Sequence, residues 1–342
     1  MKTFDNKRGE RGASMSTLLE VNNLKTYFFR KKEPIPAVDG VDFHISKGET
    51  VALVGESGSG KSITSLSIMG LVQSSGGKIM DGSIKLEDKD LTSFTENDYC
   101  KIRGNEVSMI FQEPMTSLNP VLTIGEQITE VLIYHKNMKK KEARQRAVEL
   151  LQMVGFSRAE QIMKEYPHRL SGGMRQRVMI AIALSCNPKL LIADEPTTAL
   201  DVTIQAQVLE LMKDLCQKFN TSILLITHDL GVVSEAADRV IVMYCGQVVE
   251  NATVDDLFLE PLHPYTEGLL TSIPVIDGEI DKLNAIKGSV PTPDNLPPGC
   301  RFAPRCPKAM DKCWTNQPSL LTHKSGRTVR CFLYEEEGAE QS

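Results

Sequence analysis

The chain from Glu49 to Ser62 reads ETVALVGESGSGKS, an apolar run that leads into a glycine-rich loop. Residues 51–54 are all apolar, which is typical of a strand buried on both faces of a parallel sheet. The loop from Gly55 to Ser62 fits the phosphate-binding pattern G-x-x-x-x-G-K-[ST], and an apolar helix is expected to begin near Lys61. This order of strand, loop and helix predicts an α/β domain.

The glycine-rich loop has the residue types that a nucleoside triphosphate requires. Its glycines let the backbone N–H groups approach the phosphates, and the following helix presents its positive amino end. Lys61 is predicted to reach the β- and γ-phosphates, and Ser62 to bind Mg²⁺. The alternative, a flexible glycine turn, is disfavoured by the strand before the loop and the helix after it. The predicted ATP-binding residues of the loop are Gly55, Glu56, Ser57, Gly58, Ser59, Gly60, Lys61, Ser62 and Ile63.

Two further predicted strands end in polar residues that suit hydrolysis. The apolar residues 190–193 lead to Asp194 and Glu195. A carboxylate at Asp194 can hold Mg²⁺, and Glu195 can orient and deprotonate an attacking water molecule. His228 ends another apolar strand, at the sheet edge where ligands bind, and can steady the γ-phosphate. The alternatives are a polar strand end without a ligand and a purely structural histidine.

The composition excludes several classes of protein. The 342 residues carry a formal net charge of -5, with 41% hydrophobic and 24% charged residues, unlike a basic nucleic-acid-binding protein. Nucleic acid is therefore not an expected partner. No apolar run approaches the ~18 residues that span a bilayer, and the first residues do not form a secretory signal. The eight cysteines are thus not expected to form disulfides.

The rest of the chain alternates between strand and helix patterns. Residues 18–29 and 37–45 predict two strands around a turn at 31–36. Residues from about 115 to 170 lack strand signals, and the apolar residues of 142–154 have helical spacing, which predicts a helical insert. The other predicted elements are helices at 171–185 and 203–219, strands at 189–193 and 221–227, and a hairpin at 240–250.

The segment from Leu170 to Arg177, LSGGMRQR, resembles the signature motif of ABC transporter ATPases. Together with the phosphate loop, the two acidic residues and the histidine, which follow in the same order, the resemblance extends over residues 18–260. It implies that Ser171, Gly172 and Gly173 close over ATP bound to a partner subunit. Met174 stands where the commonest signature has Gln, but the serine and the backbone N–H groups are retained.

The same resemblance assigns three further residues. Gln112 is expected to contact Mg²⁺ and to sense the transmembrane partner. Asp201, in Ala199-Leu200-Asp201, is expected at the interface between two ATPase domains. Phe28 is expected to stack on adenine, with Tyr27 as the alternative, because three aromatic residues follow one another there.

Several segments narrow the resemblance to importers of dipeptides, oligopeptides and nickel. They are QEPMTSLNP at 112–120, HPYT at 263–266, PTP at 291–293, PGCRF at 298–302 and RCP at 305–307. The resemblance favours a [4Fe–4S] cluster bound by Cys300, Cys306, Cys313 and Cys331, with zinc or four ordinary thiols as alternatives. Such a cluster would staple a proline-rich tail that is too small to form its own core.

The expected fold is therefore α/β, with a P-loop NTPase core and mixed sheet, an N-terminal antiparallel β subdomain, a helical insert and a small cysteine-containing extension. The expected boundaries are a disordered tail at 1–17, the ATPase domain at 18–260, its helical subdomain at about 115–170, and the extension at 261–342.

The resemblance implies an ATPase that drives peptide import from the cytoplasmic face of the cell membrane. ATP and Mg²⁺ are its expected cofactors. Its expected partners are two transmembrane permease subunits, a second and different ABC ATPase subunit, and indirectly an extracytoplasmic solute-binding protein. The alternatives are nickel or another solute, a soluble ABC ATPase that acts on DNA or ribosomes, and a small-molecule P-loop kinase.

Overall fold

Two β-sheets form the framework of the computed structural model, which describes residues 16–112, 117–197, 201–272 and 286–335, without the side chain of Val202. The smaller sheet is antiparallel, in the order β2-β1-β4-β5, and the larger has the order β11-β12-β10-β9-β3-β8-β7-β6. The strands are β1 (Thr17–Arg30), β2 (Glu33–Ser46), β3 (Thr50–Val54), β4 (Lys78–Leu86), β5 (Lys89–Asp90), β6 (Val107–Ile110), β7 (Leu190–Asp194), β8 (Ser222–Ile226), β9 (Arg239–Tyr244), β10 (Gln247–Thr253), β11 (Leu321–Thr322) and β12 (Thr328–Val329).

The larger sheet is mixed, as predicted. Strands β6, β7, β8, β3 and β9 pair in parallel, whereas β9, β10, β12 and β11 pair antiparallel. The carboxyl ends of β3, β7 and β8 therefore lie on one edge. This edge carries the phosphate loop, the two acidic residues and the histidine.

Eleven α-helices accompany the sheets in the described residues. They are α1 (Lys61–Ile68), α2 (Glu96–Ile102), α3 (Ile124–Lys136), α4 (Lys140–Met153), α5 (Ala159–Ile162), α6 (Gly172–Ala183), α7 (Val202–Phe219), α8 (Leu230–Ala236), α9 (Val254–Leu259), α10 (Pro264–Thr271) and α11 (Asp311–Thr315). Within that part of the chain, no helix combines the length and the apolar character needed to cross a membrane. The regular elements described between 117 and 170 are helical, as the sequence predicted.

Strand β7 shows how the core positions the sheet edge that carries Asp194 and Glu195. Leu190 and Ile192 pack with the antiparallel sheet, whereas Leu191 and Ala193 pack with the helical insert. All five residues of the strand are buried, so it is covered on both faces. Strand β7 is paired with β6 and β8 on its two edges and packed on both faces. Asp194 is therefore held in a fixed position at the end of the strand.

The predicted turn at 31–36 is wrong in its extent. Only Lys31 and Lys32 form the turn, with φ values of 49° and 77°, and β2 already begins at Glu33. Pro34 and Pro36 pair with β1 inside the strand. Proline is tolerated there because β2 is an edge strand, whose outer N–H groups need no partner.

The C-terminal extension packs against strand β9 through an aromatic cluster. The rings of Tyr244, Tyr265 and Phe302 lie within 4.6 to 5.4 Å of one another, centroid to centroid. Strand β12 pairs with β10 and so continues the larger sheet into the extension. The extension is thus fixed to the α/β core along the same side as the glycine-rich loop.

Candidate functional site

A cavity of about 620 Å³ lies beside the phosphate loop, a size typical of small-ligand sites. It brings together residues that are far apart in the sequence. The lining residues are Ser57, Gly58, Ser59, Gly60, Lys61, Ser62, Ile63, Gln112, Glu195 and His228. Gly55 and Glu56, predicted with the loop, precede this lining and are not part of it.

Two loop glycines are required by close backbone contacts rather than by the cavity. A Cβ on Gly55 would lie 2.2 Å from the carbonyl oxygen of Met243, and one on Gly60 would lie 2.7 Å from that of Ala37. Gly58 has a positive φ of 79° but open space around it. Gly55 and Gly60 therefore let the loop pack directly against strands β9 and β2, while Gly58 leaves the cavity side open.

The ammonium group of Lys61 is folded back onto its own loop. Its Nζ donates hydrogen bonds to the carbonyl oxygens of Gly55 and Glu56, over 2.7 and 3.0 Å, and to Oγ of Ser59 over 3.3 Å. Burial lowers the pKa of Lys61, and nearby carboxylates oppose that effect. A phosphate in the cavity would therefore compensate a buried positive charge.

Ser62 and Asp194 meet at the carboxyl edge of the sheet. The Ser62 hydroxyl donates to Oδ1 of Asp194 over 3.3 Å. Asp194 is only 6% exposed, and burial raises the pKa of its carboxyl group. A divalent cation beside these two oxygens would compensate the buried carboxylate.

The Glu195 carboxylate is held from both sides. Nε2 of Gln112 donates to its Oε2 over 2.8 Å, and Nδ1 of His228 lies 3.1 Å from its Oε1. Glu195 also has a φ of 46°, a left-handed conformation that few side chains adopt and that is typical of functional sites. The structure thus places Gln112 against Glu195 rather than against Asp194, which the sequence did not predict.

The predicted signature residues begin helix α6, away from the cavity. Ser171 caps the helix and accepts a hydrogen bond from the Met174 N–H over 3.3 Å. A Cβ on Gly173 would lie 2.8 Å from Cγ2 of Ile204 in α7, so the glycine allows the two helix starts to touch. Asp201 caps α7 and accepts from the Ile204 N–H over 3.0 Å.

The signature residues therefore form a second, separate surface with Asp201. A groove of about 420 Å³ includes Ser171, Gly173 and Ile204, and shares no lining residue with the phosphate cavity. A free helix start favours an anion, yet this one does not meet the chain's own loop. Ala199 and Leu200, which precede Asp201, lie outside the described residues.

The two candidate adenine-stacking residues have different surroundings. The Tyr27 hydroxyl donates to Oδ1 of Asp39 over 2.8 Å. Phe28 is partly buried beside Gly77, where an added Cβ would lie 3.0 Å from its ring. Neither lines the cavity, so the assignment of Phe28 stays a prediction.

The four late cysteines approach one another in the extension, and all eight cysteines of the chain are free. Burial, together with the neighbouring thiols, raises the pKa of Cys300, of Cys306 and of Cys331, the last to about 11. Cys313 is buried, and its carbonyl oxygen accepts the Cys300 N–H over 2.8 Å. Even so, among the described residues no three histidine, cysteine or acidic side chains are placed to hold one metal ion.

Two protein families match the chain. The family described as ABC transporter matches residues 38–198, and the family described as oligopeptide/dipeptide transporter, C-terminal region, matches residues 249–313. The first match covers the phosphate loop, the signature segment and the acidic pair. The second covers three of the four late cysteines.

Curated relatives match over nearly the whole chain. The oligopeptide transport ATP-binding protein OppD of Bacillus subtilis is 52% identical over 93% of this chain and 89% of its own length. The dipeptide transport ATP-binding protein DppD of the same organism is 50% identical over 94% of this chain and 96% of its own. A dimeric, post-hydrolysis structure of the ATP-binding cassette MJ0796, bound to ADP and Pi, is 31% identical with a TM-score of 0.62, and covers 69% of this chain and 99% of that one.

Proposed function

Because the chain belongs to the ATP-hydrolysing subunits of ABC transporters, in the oligopeptide and dipeptide group, we propose that its ATPase activity drives the import of dipeptides or oligopeptides. The observation that carries this proposal is the likeness to peptide-transport ATP-binding proteins over more than nine-tenths of the chain, including the extension. The extension matters because it separates this group from the general ATPase core.

We propose that ATP binds in the cavity with its phosphates on the loop from Gly55 to Ile63. The Lys61 ammonium group would then give up its hydrogen bonds to the loop carbonyl oxygens and bind the β- and γ-phosphate oxygens. Ser62, Asp194 and Gln112 would hold Mg²⁺, which neutralises charge on those oxygens when bound. The neighbouring positions of Ser62 and Asp194 support this arrangement.

Hydrolysis needs a water molecule held in line with the γ-phosphate. Glu195 is proposed to orient that water and accept its proton, while His228 contacts the γ-phosphate. Both residues line the same cavity as Lys61, which supports these roles. Most of the rate enhancement would come from positioning and charge stabilisation, because phosphoryl transfer offers little covalent chemistry to the protein.

A second ATPase subunit is proposed to complete the site. Ser171, Gly172 and Gly173 would contact the nucleotide on that partner, with Asp201 at the same interface. The support is geometric: the Ser171 helix start is bare and suited to an anion, but lies on another surface than the chain's own loop. We propose that the partner is a different chain of the same family.

The permease subunits are proposed to dock in an apolar groove next to Gln112. This groove, of about 370 Å³, runs from Phe111 at the end of β6 to Val131 and Ile182 on the helical side. Phe111 is 40% exposed although it is a large apolar residue. We propose that a helix of a permease occupies this surface at the cytoplasmic face of the membrane, and that its movement reaches Glu195 through Gln112.

We further propose that Cys300, Cys306, Cys313 and Cys331 hold a [4Fe–4S] cluster with a structural role. When bound, such a cluster would cross-link the four cysteines through their thiolates. Burial, together with the neighbouring thiols, raises the pKa of Cys300, Cys306 and Cys331, so the four side chains lie together, as ligands of one shared group must. Iron and acid-labile sulfide in equal amounts are expected in anaerobically purified protein, and zinc alone or no metal would overturn this part.

The test of the import proposal is uptake by vesicles that contain the chain with the permease subunits that co-purify with it. Labelled peptide should accumulate only with ATP and the solute-binding protein, and a Glu195→Gln chain should abolish the accumulation. Uptake of nickel but not of peptide would show that the transporter imports a different solute. A chain that co-purifies with no integral membrane protein would overturn the transport role.

A further inference from the structure

The C-terminal extension reaches back to the phosphate loop at Glu56. Oε2 and Oε1 of Glu56 accept hydrogen bonds from the two terminal nitrogens of Arg305, over 2.6 and 3.0 Å. The backbone N–H of Glu56 donates to the Tyr265 hydroxyl over 2.8 Å. Arg305 and Tyr265 both belong to the extension, so residues more than two hundred positions away hold the second residue of the loop.

Glu56 is therefore engaged through every polar group that it has. Its carbonyl oxygen accepts from Nζ of Lys61 over 3.0 Å and from the Ser59 N–H over 3.2 Å. The contacts that fix Glu56 therefore also determine the positions of Lys61 and of the loop N–H groups. These are the groups that are to bind the phosphates, so their positions determine ATP affinity.

The extension side of this contact is rigid. The Arg305 side chain is only 3% exposed, and its third nitrogen donates to the carbonyl oxygen of Lys287 over 3.2 Å. Its terminal nitrogen also lies 3.3 Å from the Tyr244 hydroxyl. Two parallel bonds to one carboxylate fix direction as well as distance, which a lysine in the same place would not do.

Charge gives the contact a second consequence. Glu56 carries a negative charge within a loop that has to accept a triphosphate, and an unpaired carboxylate there would repel the substrate. The guanidinium of Arg305, which does not line the cavity either, neutralises that charge. Because Glu56 does not line the cavity, its side chain is free to serve the extension instead of the nucleotide.

We propose that Arg305 and Tyr265 are positioning residues for the nucleotide, which act through Glu56, and that the C-terminal extension thereby sets the ATP affinity of the phosphate loop. The inference rests on ATP binding at this loop and not on the identity of the transported solute. The extension would thereby contribute to nucleotide binding by the ATPase domain.

The test is ATP affinity of the full chain, measured by calorimetry, combined with KM and kcat of the assembled transporter. Arg305→Gln should weaken ATP binding about tenfold and raise KM, with kcat within about twofold, since a tenfold change corresponds to one lost charge-assisted contact. Lys308→Gln is the matched control, because Lys308 pairs with exposed Glu267 and does not contact the loop. It should bind ATP like the wild type.

A double variant separates positioning from mere folding. Because Arg305 is to act through Glu56, the losses of Glu56→Gln and Arg305→Gln should not add, and the double variant should bind ATP about as weakly as Arg305→Gln alone, whereas two independent defects would add. Wild-type affinity in a folded Arg305→Gln chain, or fully additive losses in the double variant, would overturn the inference. If Arg305→Gln does not fold, Tyr265→Phe decides: we expect about threefold weaker binding, and an unchanged affinity overturns the inference. If the wild type does not bind ATP at all, the proposal that ATP binds at this loop is overturned instead.

Discussion

Nδ1 of His228 lies 3.1 Å from Oε1 of Glu195 at the edge of the phosphate cavity. The Glu195 side chain is 17% exposed, whereas that of His228 is 62% exposed. The other carboxylate oxygen of Glu195 already accepts a hydrogen bond from Gln112. The carboxylate is therefore oriented before the nucleotide arrives, and each neighbour contacts a different oxygen.

Replacing Glu195 tests its role as the residue that activates water. Glu195→Gln keeps the shape and can still meet Gln112 and His228, but cannot accept the proton. We expect ATP turnover to fall about 10³-fold while ATP affinity changes less than about threefold. The measurement is steady-state phosphate release together with nucleotide binding. Glu210→Gln, on the exposed face of α7, is the control, and normal turnover of the Glu195 variant would remove the residue from this role.

Replacing Asp194 tests the predicted cation site. In the wild type, Mg²⁺ should tighten ATP binding, and chelation of the metal should abolish that gain. Asp194→Asn removes the charge that Mg²⁺ compensates, so its ATP affinity should be nearly the same with and without the metal. Calorimetric titrations with Mg²⁺ and with a chelator compare the two proteins. A variant that keeps the full effect of Mg²⁺ would place the cation elsewhere.

Two substitutions of Ser171 separate its helix cap from its proposed contact with a partner's nucleotide. Ser171→Asp keeps a good cap, whereas Ser171→Ala loses the cap and about 1 kcal/mol of stability. The aspartate also sets a negative charge against the γ-phosphate on the partner. We expect Ser171→Asp to unfold like the wild type and to bind ATP normally as an isolated chain, yet to lose turnover in the assembled transporter. Full turnover of the assembled Ser171→Asp protein would contradict the shared site.

The buried His263 predicts how stability depends on pH. Its side chain is 2% exposed, its Nδ1 accepts the Tyr265 N–H over 3.0 Å, and burial lowers its pKa to about 3. Because the folded-state pKa lies below the unfolded value, its contribution to stability is complete above about pH 6.5 and is lost as the pH falls towards 3. This group alone should remove about 2 kcal/mol between pH 7.5 and pH 5.

The matched variant for this effect is His263→Asn, whose side-chain oxygen can still accept the Tyr265 N–H but does not titrate. Urea unfolding at the two pH values gives the free energies. The variant should lose about 2 kcal/mol less than the wild type over this interval. An equal loss in both proteins would show that His263 is not the titrating group.

The sequence predicted the parts of the site that depend on local order. The apolar strand before Gly55 and the one before Asp194 each fix the next residues at the sheet edge, so their proximity could be predicted without coordinates. His228 followed in the same way. The structure brings all three segments together as expected, with Ser62 beside Asp194.

The features that the sequence did not predict depend mostly on packing between segments that are far apart in the chain. Short strands such as β5 and β6 carry too few residues for an apolar pattern, and they were not predicted. Nor does any local signal reveal the left-handed backbone of Glu195 or the pairing of Glu56 with Arg305, which lie 249 residues apart. Such contacts arise only once the extension has folded against β9.

The most direct test of the account is the structure of the Glu195→Gln transporter with ATP and Mg²⁺ trapped in it. We expect the triphosphate on the Lys61 loop to be covered by a helix start of the facing ATPase subunit. We also expect Ser171 to lie within hydrogen-bond distance of the nucleotide held by that subunit. An ATP molecule enclosed by this chain alone, with Ser171 in water, would contradict it.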